Sequence, residues 1–206
     1  MPTDLKIPGP HNFKNAVMAA TVAKALGVKD KIIAATVKRF RGLPHRLELV
    51  RVIANNANRG GNNANRTTIR FYDDSAGTNP QTAAAAVRSF NEPVILIAGG
   101  KDKNLDYAPL RDAIAALPNV KAAVLIGENK VKIHAALRGS MKQESGIVEC
   151  ETLADAVRAA YRLAIRYTLT AKRSAVVVFS PGAASFDMFK DYADRGAQFQ
   201  NIIRSL

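Results

Sequence analysis

The sequence predicts an α/β protein with a Rossmann-like, mostly parallel sheet covered by helices on both faces, preceded by a short helical lobe. Three observations carry this. Beyond residue 44, short apolar runs alternate with Ala-rich stretches of helical period. Two of those runs, Val94-Ile95-Leu96-Ile97 and Ala122-Ala123-Val124-Leu125-Ile126, are apolar throughout, as strands covered on both faces must be. Before residue 44 the pattern is helical only.

The first helix fits Asn12 to Gly27, with Val17, Ala20, Val22, Ala25 and Leu26 at helical spacing and Gly27 as its stop. A second fits Asp30 to Phe40, with Ile32, Ile33, Ala35, Val37 and Phe40 as an inner face. Arg41-Gly42-Leu43-Pro44 reads as a linker. Two short helices cannot bury both faces unaided, so this lobe reads as a piece of something larger.

Strands are expected at Leu47–Ile53, Thr67–Tyr72, Pro93–Ala98, Ala122–Ile126 and Ala175–Phe179. Helices are expected at Pro80–Phe90, Leu110–Ala116, Lys130–Leu137, Leu153–Tyr167 and Phe186–Ile203. The first two strands read as a hairpin, which puts antiparallel pairing at one sheet edge. Between them lies a duplication, Asn55-Asn56-Ala57-Asn58-Arg59 and Asn62-Asn63-Ala64-Asn65-Arg66 around two glycines, which reads as an exposed loop. The last strand stops at Ser180-Pro181-Gly182, and Ser185 or Asp187 could cap the helix after it. Such a junction sets a hydroxyl and backbone N–H groups at the carboxyl edge of a sheet, where an anion is well received.

Composition narrows the function. At 206 residues the chain can bury one good core, and a mean hydropathy of -0.08 is that of an ordinary globular protein. No apolar run reaches the roughly 20 residues of a membrane helix, and the N-terminus lacks a signal-peptide core. A single cysteine, Cys150, excludes an internal disulfide and points to the cytoplasm. Net charge is +13, yet the basic residues are scattered, aromatics are 6% and Trp is absent. A nucleic-acid role is therefore disfavoured against an anionic small-molecule ligand.

Four segments fall where a doubly wound sheet receives ligands. Asp73-Asp74-Ser75-Ala76-Gly77-Thr78-Asn79 offers carboxylates for Mg²⁺ or ribose hydroxyls, and Thr78 or Asn79 could cap a helix; the plainer alternative is a capped turn with solvated acids. In Gly99-Gly100-Lys101-Asp102-Lys103 the glycines would let a ligand approach the backbone. The third combines His11-Asn12-Phe13-Lys14-Asn15 with His45-Arg46. The fourth surrounds Ser185, without the Gly-x-Ser-x-Gly elbow of a serine nucleophile. No P-loop sequence occurs, and the three histidines show no zinc-ligand spacing.

In order, His11-Asn12-x-x-Asn15, Gly42-Leu43-Pro44-His45-Arg46-x-Glu48, Asp74-Ser75-x-x-Thr78-Asn79, Gly99-Gly100-x-Asp102-Lys103 and Ser180-Pro181-x-x-Ala184-Ser185-x-Asp187-x-Phe189 with Arg195-Gly196 resemble the carboxyl-terminal half of the Mur ligases of peptidoglycan synthesis. The Ser-Pro and Arg-Gly elements resemble the D-glutamate-adding branch. The resemblance implies that residues 1–43 are the last helices of a central ATPase domain and 44–206 an amino-acid-binding domain. It implies an ATP- and Mg²⁺-dependent ligase joining D-glutamate to UDP-N-acetylmuramoyl-L-alanine through an acyl phosphate. The metal ligands belong to parts of the family without a counterpart here, supplied from upstream or by a separate chain. By resemblance, Asn12, Asn15, Arg46 and Asp74 contact the nucleotide, while Thr78, Lys103, Ser185, Phe186 and Tyr192 form the D-glutamate pocket. Where the family commonly has Lys after Asp-Ser, this chain has Ala76. A non-catalytic nucleotide- or carboxylate-binding module of the same ancestry is the alternative.

Overall fold

The computed structural model describes residues 5–55, 67–141 and 146–206, so the Asn-rich duplication from residue 56 onward lies outside the described residues. The helical lobe comes first, as α1 (Pro10–Ala25) and α2 (Asp30–Arg39). Then follow β1 (Glu48–Asn55), β2 (Thr67–Asp73), α3 (Pro80–Val87), β3 (Val94–Gly99), α4 (Ala108–Ala116), β4 (Val120–Ile126), α5 (Lys130–Leu137), β5 (Ile147–Glu149), α6 (Leu153–Ala171), β6 (Ala175–Phe179) and α7 (Tyr192–Ser205).

The strands form one sheet in the order β1-β2-β6-β3-β4-β5. The β1–β2 pair is antiparallel, as the hairpin pattern predicted, and β2–β6, β6–β3, β3–β4 and β4–β5 are parallel. Each apolar strand serves two cores by alternation. Val94, Leu96 and Ala98 of β3 pack with α3, α4 and α5, while Ile95 and Ile97 pack with α6 and α7. This explains why these runs read as continuously apolar.

Three expectations need correction. The three-residue strand β5 has no apolar run of its own and was not predicted; it takes its place by pairing with β4. The last helix starts at Tyr192 rather than Phe186, and its cap is Asp191, whose side chain accepts from the Asp194 N–H. Residues 180–190 are held instead by bonds to neighbouring loops, including an isolated bridge from Ala184 to Lys101. Finally, α2 has no buried residue, and in α1 only Asn12 is buried. Of the expected α2 inner face, Ile33 and Val37 are half-buried and the rest is exposed.

Candidate functional site

Because β6 is inserted between β2 and β3, the loops that leave these three strands are neighbours at the carboxyl edge. Backbone bonds knit them together. Gly182 N–H donates to Gly77 C=O (2.9 Å), Gly99 N–H to Pro181 C=O (2.8 Å) and Lys101 N–H to Ala184 C=O (2.8 Å). Asn129, after β4, accepts from Gly100 N–H at 2.9 Å and donates to the Tyr107 hydroxyl at 2.6 Å. Burial pushes the Tyr107 phenol up to about 12, which keeps it a neutral donor to Gly182 C=O.

The glycines of the β3 loop were expected to admit a ligand. They admit backbone instead. A Cβ on Gly99 would collide with the carbonyl of Ile126, and one on Gly100 with that of Ala184. Both residues also have positive φ, 114° and 154°. The acids of the β2 loop are likewise not solvated. Asp73 and Asp74 are both buried. Asp74 accepts from Leu47 N–H (3.2 Å) and from the Ser180 hydroxyl (2.6 Å), and desolvation raises its carboxyl from 3.8 to about 6. Asn79 does cap α3, in a reciprocal capping box with Thr82.

The nucleotide candidates fall on both sides of residue 47. Asn12, Asn15 and Arg46 line an apolar groove of about 420 Å³ between α1, α2 and the linker. Asn12 is anchored by donating to Pro8 C=O at 2.7 Å. Asp74 lies behind Leu47, close enough for the Arg46 charge to act on it. Arg46, together with burial, also holds His11 below the usual imidazole range, burial being the larger cause.

The amino-acid candidates gather across the other loops. Lys103 Nζ lies 5.4 Å from the Phe186 ring centroid, next to the buried Ser185. Tyr192 is exposed at its ring, and its carbonyl accepts from the Ser75 hydroxyl at 2.8 Å. Thr78 is half-buried one residue before the α3 cap. Asp187 accepts from Glu128 N–H at 3.0 Å, and its Oδ1 is buried with no partner among the described residues.

One trio of metal-type donors stands together among the described residues: His45, Glu48 and Asp73. It is a hydrogen-bonded cluster. His45 Nδ1 is 2.7 Å from Asp73 Oδ2, and the Gln200 amide nitrogen donates to Asp73 (2.9 Å) and Glu48 (3.1 Å). A donor N–H aimed at these oxygens occupies the place of a cation, so the trio does not fit Mg²⁺.

Sequence reasoning gave no role to Arg195, whose guanidinium is fully buried and meets Ser75 and Ala183. A signal was present. Arg195, Phe199 and Ile203 recur every fourth residue on the buried face of α7, so an arginine stands in an apolar stripe. Its neighbour Gly196 is required by the His45 ring, which a Cβ there would strike.

Fold and site together define an α/β domain in which the loops after β2, β6 and β3 meet at the carboxyl edge of a largely parallel sheet. The chain belongs to the Mur ligase family: residues 45–182 match the domain described as Mur ligase, glutamate ligase domain. It is 41% identical over 202 residues to UDP-N-acetylmuramoylalanine–D-glutamate ligase of Geotalea daltonii, covering 98% of this chain and 39% of that protein. The ligase of the same name from Aquifex aeolicus is 37% identical over 203 residues, covering 98% and 43%. The chain thus spans about two-fifths of the length of these curated relatives. Among solved structures, folylpolyglutamate synthase of Mycobacterium tuberculosis in complex with ADP shares the fold, with a TM-score of 0.64 at 19% identity over 96% of this chain and 41% of that one. A pseudomurein peptide ligase type C from Methanothermus fervidus gives 0.56 at 15%, over 98% and 37%. Among the described residues no helix is long and apolar enough to cross a membrane.

Proposed function

We propose that this chain is the D-glutamate-binding part of an ATP-dependent ligase that adds D-glutamate to UDP-N-acetylmuramoyl-L-alanine. The observation that carries this reading is the convergence of Lys103, Ser185 and Phe186 at the carboxyl edge, in a chain whose relatives are named as D-glutamate ligases. A carboxylate does not react with an amine, because its oxygen is a poor leaving group. ATP converts it to an acyl phosphate, which the amine of D-glutamate attacks. This chain's part is orientation. Lys103 holds a substrate carboxylate as a point charge, Ser185 donates a hydrogen bond, and Thr78, Phe186 and Tyr192 shape the pocket. Asn12, Asn15, Arg46 and Asp74 would meet the nucleotide from this side of the cleft.

Residues 1–43 are read as the end of a central ATP-binding domain and 44–206 as the amino-acid domain. The family match beginning at residue 45 and the nearly unburied α1–α2 lobe support that division. The phosphate- and Mg²⁺-holding residues belong to the rest of the relatives' length, on the same polypeptide or a separate chain. ATP and a UDP-linked substrate place such a reaction in the cytoplasm. The poor fit of the acidic trio to Mg²⁺ favours one alternative, a non-catalytic carboxylate- or nucleotide-binding module.

Isothermal titration with D-glutamate and L-glutamate tests the reading. Binding of the D-isomer is expected, weakened by roughly tenfold or more in Lys103→Ala and by less in Ser185→Ala. Absence of D-glutamate binding to the chain together with the rest of the ligase would sink it; nucleotide binding alone would favour the module.

A further inference from the structure

Among the described residues Arg195 is the largest fully buried side chain, and the functional reading above leaves it unused. Its Nε donates to Ser75 Oγ at 2.9 Å, one Nη to Ser75 C=O at 2.8 Å and the other to Ala183 C=O at 3.0 Å. The same Nη1 lies 3.2 Å from where a Cβ on Gly100 would be. One planar group therefore touches the loops after β2 and β6 and backs onto the loop after β3. Asp187 and Asp73 bear on its charge, but among the described residues no carboxylate is within ion-pair distance. Burying a guanidinium without a counter-ion is costly, and Phe179 and Phe199 beside it would suit an apolar side chain. Packing alone does not account for an arginine here.

What it holds does. We propose that Arg195 is a positioning residue for the amino-acid site, setting the relative placement of the three loops that carry Thr78, Lys103 and Ser185. Thr78 is three residues from Ser75, Lys103 three from Gly100 and Ser185 two from Ala183. The rigid fork reaches two loops from one point on α7, which a lysine ammonium cannot do with the same geometry. The role in ligand binding rests on the proposed function above; the coupling of the loops does not.

The experiment is amide hydrogen exchange across residues 75–78, 100–103 and 183–187, beside D-glutamate titration, for wild type, Arg195→Lys and Ser75→Ala. In Arg195→Lys, exchange in the three loops is expected to rise on the order of tenfold while the amides of β3 and β6 stay protected. D-glutamate affinity is expected to fall about tenfold or more. Ser75→Ala, which keeps the charge and loses the hydroxyl partner, changes the same loops by less. Unchanged loop exchange, or a uniform rise across the whole sheet, overturns the proposal. If Arg195→Lys does not fold, Ser75→Ala decides, and unaltered loops in it overturn the proposal. If wild type binds no D-glutamate the functional reading fails, while the exchange rates still decide whether Arg195 couples the loops.

Discussion

The α1–α2 lobe and the α/β domain use similar apolar residues to opposite ends. In the lobe, Met18 is 68% exposed and Leu26 79%, with Phe13, Val22, Ile32 and Phe40 also in solvent. In the domain, every residue of β3 and β6 is buried. Helical apolar spacing is as clear in the exposed α2 as in the buried-faced α6, so the difference is not in the local pattern. It lies in what stands opposite: the sheet offers each helix of the domain a face, whereas α1 and α2 have little beyond each other. An apolar stripe becomes a core only where a second surface meets it.

The strongest way to break this comparison is to cut into both regions equally. Phe71→Ala, in β2 against Tyr161, is expected to cost about 3–5 kcal/mol in urea unfolding. Leu26→Ala is expected to change it by less than about 0.5 kcal/mol. Equal effects would mean that the lobe is packed as tightly as the domain.

Next in size is the buried Asp74. Its carboxyl is raised from 3.8 to about 6, chiefly by desolvation, so the folded state binds a proton more readily than the unfolded chain. The stability this group contributes is therefore fully present below pH ~4 and lost as pH rises through ~6. At pH 7 Asp74→Asn should be more stable than wild type, by up to about 3 kcal/mol, and the gain should vanish below pH ~4. Thermal unfolding of both proteins across this range checks it; a difference independent of pH would be against it.

The smallest effect sharpens the comparison at a helix end. Asn79 closes a capping box on α3, whereas neither α1 nor α2 has a side-chain cap bond. Asn79→Ala should cost about 1 kcal/mol by chemical denaturation. Lys29→Ala, at the N-cap position of α2, should cost nothing measurable.

Much of the fold was legible because strand pattern and helix pattern agree with their final surroundings. The parallel strands, the antiparallel edge and the helices between them follow from apolar runs and turn residues. What escaped did so for physical reasons. Strand β5 is three residues long and exists by pairing with β4. Residues 186–189 do make a turn, with Ser185 C=O accepting from the Met188 and Phe189 N–H groups, but the extended backbone at Asp191 separates that turn from α7. The proposed site residues Lys103 and Ser185 stood out by residue type, whereas the bonds that hold the loops around them did not.

By itself the sequence determined the α/β class, the order along the chain of its helices and of every strand but β5, and the short motifs carrying the family likeness, since local propensity and periodicity encode these. Tertiary structure alone decided that β6 lies between β2 and β3, so that distant loops become neighbours. It turned Gly99 and Gly100 into backbone contacts, Asp74 into a buried acid and Arg195 into a buried bridge between the loops after β2 and β6. Each of these depends on which groups meet in space, and a linear pattern does not carry that information.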